Sequence, residues 1–114
     1  MVIVEIFLDD LERVQSFQVK GHANAGIYGQ DIVCAAVSVL TQTALLGMEH
    51  YLTADMQIER KSGWLKCVLP QQMPQDEAEK AQIILQTMLL GLYSMEKGYQ
   101  KYMKIIKRRW TACS

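Results

Sequence analysis

The sequence predicts a two-layer α+β domain in the order ββαββα(β), with two helices packed on one mainly antiparallel sheet, and three observations point there. Segments rich in β-branched and aromatic residues come in two close pairs, residues 1–8 with 14–20 and residues 56–60 with 64–69. A long stretch without strand-like alternation follows each pair. In the second of these, Ala78, Ala81, Leu85, Met88, Leu92 and Met95 recur at spacings of 3, 4, 3, 4 and 3, which places all six on one stripe of a helix.

The elements follow in order. Residues 1–8 carry Val2, Ile3, Val4 and Ile6 with no basic start, so they read as a strand and not as an export signal, and the protein is expected in the cytoplasm. Asp9-Asp10 signals a turn, after which Phe17 and Val19 alternate with Ser16, Gln18 and Lys20 in a second strand. Residues 21–30 hold Gly21, Gly26 and Gly29 and read as a mobile glycine-rich loop that also contains Tyr28. Asp31 is a good N-cap, and residues 32–52 form the first helix. Lys61-Ser62-Gly63 turns the second hairpin, Pro70 and Pro74 end it, and Gly98 closes the second helix. Residues 102–109 are read as a basic edge strand, where lysines discourage aggregation.

With 114 residues, 50% of them apolar and 21% charged, the chain is expected to be one globular domain over residues 1–114. Its longest apolar stretch, residues 32–48, is interrupted by Ser38, Thr41, Gln42 and Thr43, so no membrane span is expected. Twelve basic and twelve acidic residues cancel. Six of the basic ones lie from Lys97 to Arg109, leaving 6 basic against 12 acidic in residues 1–96. An acidic body with a basic end argues against direct nucleic-acid binding. Three cysteines without a CxxC pair give neither a disulfide framework nor a thiolate metal site, so no metal and no cofactor is expected.

The chemistry concentrates around the first helix. Asp31, Cys34, Ser38 and Thr41 are spaced 3, 4 and 3 and share one stripe of an otherwise apolar helix. Cys34 is placed in the first turn, where unpaired N–H groups and the positive end of the macrodipole favour a thiolate. The plainer reading makes it a small residue in a buried helix. His22 follows a predicted strand and lies across the glycine-rich loop from Cys34, so that a Cys/His pair can form. Taken alone it is an ordinary loop histidine. Asp31 either caps the helix or orients His22. His50 and Cys67 read as structural and Cys113 as incidental.

Gly21-His22-Ala23, the loop with Tyr28-Gly29, and Asp31-Ile32-Val33-Cys34-Ala35-Ala36-Val37-Ser38 together resemble the ribosomal-processing cysteine protease family, Prp. The resemblance implies a cysteine endopeptidase that removes the N-terminal extension of the precursor of bacterial large-subunit ribosomal protein twenty-seven. It implies Cys34 as nucleophile and His22 as base, with Asp31 and Ser38 in support. It also implies a loop, carrying Gly21, Gly26, Tyr28 and Gly29, that orders over the substrate, and a homodimer. The first helix agrees with a partner, because its apolar side chains exceed the stripe that one layer covers. Two other readings stand beside this one: a ribosome- or RNA-associated module using the basic C-terminal segment, and a thiol redox sensor using Cys34.

Overall fold

The computed structural model describes residues 1–21 and 28–111, with side chains given for all of these except residues 28–31. The elements are β1 (Val2–Leu8), β2 (Val14–Lys20), α1 (Tyr28–Tyr51), β3 (Gln57–Lys61), β4 (Trp64–Val68), α2 (Gln75–Gly98) and β5 (Met103–Arg109). The five strands form one sheet in the order β3-β4-β2-β1-β5. Three of its strand pairs are antiparallel, and β5 runs parallel to β1. This is the expected two-layer fold, and the basic segment is an edge strand as read.

Register explains the layers. Val4 pairs with Val19 and Val19 with Leu65, while Ile6 pairs with Phe17 and Phe17 with Cys67, so two neighbouring rows of apolar side chains face the helices across β1, β2 and β4. Val33, Val37, Leu45 and Met48 of α1 and Ala81, Leu85 and Leu92 of α2 close the core from above. The helices are tied to the sheet by polar contacts as well. The side-chain amide of Gln82 donates to the Val14 carbonyl and accepts from its N–H, both at 2.9 Å, continuing the hydrogen-bond pattern of β2. Glu77, in the first turn of α2, accepts from the backbone N–H groups of Thr53 and Ala54 at 2.9 and 3.0 Å and from the Thr53 hydroxyl at 2.6 Å. It thereby fixes the chain as it leaves α1.

Two expectations change. Helix α1 begins at Tyr28, so Tyr28 and Gly29 belong to its first turn and Asp31 is not its N-cap. One glycine costs a helix about 1 kcal/mol, which the extra backbone hydrogen bonds of an added turn offset. Gly26, and with it the rest of the expected loop over 22–27, lies outside the described residues. The second change concerns apolarity. Residues Ile32–Tyr51, with mean hydropathy 1.6, are long and apolar enough to cross a membrane by length and composition, despite the polar residues taken to interrupt them. Here the same residues supply Val33, Val37, Leu45 and Met48 to the core.

Candidate active site

A cleft of about 340 Å³ opens between α1 and the tip of the β3–β4 hairpin. One wall is the polar stripe of α1, with Cys34, Ser38, Thr41 and Gln42 beside Val37; the opposite wall runs from Arg60 to Leu65, and Val2, Val19 and Gly21 form its floor. The stripe read from the sequence is therefore real for Cys34, Ser38 and Thr41, which share this wall. Thr41 is buried and donates its hydroxyl to the Val37 carbonyl at 2.8 Å, a backbone contact that leaves it no free proton for chemistry. Cys34 is half-buried at the cleft surface.

The earlier start of α1 moves Cys34 from the first turn to the second. The orphan N–H groups belong to residues 28–31, and the field of the helix end falls off within that first turn. The helix-end field expected from the sequence therefore does not reach Cys34.

His22 and Cys113 lie outside the described residues, as does the side chain of Asp31. The structure does fix the residue before His22. Gly21 donates its N–H to the Gly63 carbonyl at 3.1 Å, which ties the end of β2 to the hairpin tip that walls the cleft. Gly21 has φ +137°, and a Cβ there would meet the Met1 carbonyl oxygen at 2.6 Å and the Val2 Cα at 2.9 Å. Only glycine suits that backbone conformation and that closeness.

The remaining candidates separate clearly. Cys67 is buried in the sheet between Phe17 and Ile58, where loss of solvation, reinforced by Glu49 and opposed by Arg60, pushes its thiol up to about 12. His50 is exposed in the last turn of α1, its ring edge-on to Tyr51 with centroids 4.7 Å apart. The basic C-terminal strand is engaged within the fold: Arg108 pairs with Glu5, Arg109 with Glu12, and Lys107 lies 5.5 Å from the centre of the Tyr93 ring. Gln42 was missed as a site residue, although its spacing of four from Ser38 was there to be read. Arg60 and Trp64 were missed because pairing across the sheet, and not sequence proximity, brings them to the cleft.

A two-layer α/β domain with a cysteine on the cleft face of its first helix, beside a glycine-anchored strand end, can serve thiol chemistry on a ligand in that cleft. Residues 1–104 match the family model described as cysteine protease Prp. The chain is 30% identical to the ribosomal processing cysteine protease Prp of Staphylococcus aureus strain Mu50 over 108 residues, covering 92% of this chain and 97% of the relative. Among solved structures, the S. aureus protease in complex with a substrate peptide superposes with a TM-score of 0.82 at 26% identity, covering 95% of this chain and all of that one. The same protease with a covalently linked product peptide gives 0.81 at 27% identity, with the same coverage. The chain belongs to the Prp family of cysteine proteases.

Proposed function

We propose that this protease removes the N-terminal extension of the precursor of large-subunit ribosomal protein twenty-seven, in the cytoplasm, through a Cys34/His22 dyad. The observation that carries the reading is the cleft itself: it holds Cys34 on one wall and, tied to the other, the glycine that directly precedes His22. His22 takes the Cys34 proton, and the thiolate attacks the scissile carbonyl. The amine product leaves with a proton returned by His22, and water then hydrolyses the thioester. The likeness to a protease solved with substrate and with covalent product peptides supports a peptide in this cleft.

The experiment is incubation with an apolar, aromatic-rich peptide patterned on the ribosomal precursor, followed by mass spectrometry. Cleavage is expected, with His22→Ala lowering turnover by roughly 10² to 10⁴. An uncut peptide, with Cys34 instead oxidising reversibly to sulfenic acid, would favour the redox sensor.

The active form is a homodimer. Val39 and Leu46 on α1 and Ile83 and Leu90 on α2 are all more than 60% exposed, and each pair is spaced by seven residues, so both helices keep an apolar stripe turned away from the sheet. A dimer predicts a melting temperature that rises with protein concentration. A stable 13 kDa species in sedimentation at tens of micromolar would overturn it.

A further inference from the structure

We infer that Gln42 is a positioning residue for the Cys34 sulfur, acting through the Ser38 hydroxyl. The inference rests on the cleft being the proteolytic site.

Cys34, Ser38 and Gln42 are four residues apart in sequence, so each stands about one turn above the last, and all three line the cleft. The Gln42 side-chain amide donates to the Ser38 hydroxyl oxygen at 2.7 Å. A hydroxyl inside a helix ordinarily turns its proton back to the carbonyl four residues earlier. Thr41 does so to Val37 at 2.8 Å and Thr87 to Ile83 at 2.6 Å. At Ser38 the oxygen is instead an acceptor for an amide that comes from the next turn. A serine oxygen holding one N–H still has its own proton to give. One turn toward the helix start, on the same wall, stands the Cys34 sulfur, whose thiolate is the strongest acceptor such a proton can find there. Gln42 is itself exposed, so packing does not explain its place. Being neutral, its amide fixes the hydroxyl without adding a charge to the cleft.

The test uses the full chain and two readouts, peptide turnover and the rate at which iodoacetamide alkylates Cys34 in the absence of peptide. Gln42→Leu keeps the side-chain volume and removes the donor. It should lower kcat and the alkylation rate by the same factor, about fivefold, the worth of one hydrogen bond, with KM unchanged. In a Ser38→Ala background the same substitution should change neither rate further. Wild-type rates in Gln42→Leu, or an equal loss in the Ser38→Ala background, would overturn the inference. Failure of the proteolytic reading looks different: the wild-type chain would then leave the peptide uncut, or Cys34→Ala would still cut it.

Discussion

Cys34 and Cys67 carry the same thiol in two surroundings, and the difference between them shows what makes one useful. Cys67 is 1% exposed, its strand neighbours are Phe17 and Ile58, and burial holds it protonated far above neutral pH. Cys34 faces a cleft, with a serine and a glutamine stacked on the same wall. A thiol becomes a nucleophile where its anion can be solvated or hydrogen-bonded and where a substrate can reach it. The sheet interior denies Cys67 both conditions, whereas Cys34 is half-buried at the surface of a cleft that Ser38 and Gln42 also line.

The sharpest way to break this comparison is to exchange the roles by mutation. Cys34→Ala should abolish peptide cleavage and leave the melting temperature nearly unchanged. Cys67→Ala should do the reverse, keeping kcat while losing roughly 1–2 kcal/mol of stability to the cavity in the sheet core. In a Cys113→Ser background at pH 8, iodoacetamide should label Cys34 and leave Cys67 unmodified until the chain unfolds. Labelling of both at similar rates would remove the basis of the contrast.

A smaller effect is expected one residue away from His22. Gly21→Ala puts a methyl group 2.6 Å from the Met1 carbonyl oxygen at a positive φ, so the strand end has to move and the residue after it moves too. Strain of this kind costs about 1–3 kcal/mol. Turnover should fall at least tenfold, more than the stability loss alone explains at a temperature where the variant is fully folded. A variant with wild-type kcat would show that the clash is absorbed by the chain terminus and that Gly21 does not set the position of His22.

The elements were legible in the sequence because local rules determined them. The six-residue stripe from Ala78 to Met95 gave α2, Ser62-Gly63 gave the hairpin, and alternation around Phe17 gave the buried face of β2. The start of α1 was misplaced because Asp31 is a strong cap by residue type, whereas the helix gained a further turn through Gly29. Of the strand order, the two hairpin pairings and the edge position of β5 were legible, and the rest was not. That β5 lies parallel to β1 depends on α2 carrying the chain across the sheet, and no local pattern encodes such a crossover. The site divides in the same way. Cys34, Ser38 and Thr41 could be read from helical periodicity, while the hairpin wall of the cleft arises only when β4 pairs with β2.

Glu5 is the counterpart to Cys67, a buried ionisable group whose partners are all in place. It lies on the sheet face away from the helices and is 5% exposed, yet it accepts from Arg108 and Gln18 and pairs with Lys20 at 3.2 Å. Burial pushes its carboxyl up, but the hydrogen bonds from Arg108 and Lys20 and the attraction of both cations outweigh it. The net result holds Glu5 below the usual carboxylate range. A group depressed in the folded state adds stability above its unfolded value of about 4.3, and that stability is lost as pH falls through the folded value. The melting temperature should therefore be nearly flat from pH 7 to about 5 and fall below that. Asp9 and Glu77, both also depressed, contribute to the fall. Glu5→Gln should lower the melting temperature at pH 7 by about 4 °C, corresponding to about 1 kcal/mol once the half-exposure of Lys20 and Arg108 is discounted. The difference between variant and wild type should shrink as the pH drops below 4, because the native carboxyl is then being neutralised as well. A gap that stays constant down to pH 2 would mean that the variant loses stability through the amide's different hydrogen bonding beside Gln18 and Arg108 and not through the missing charge.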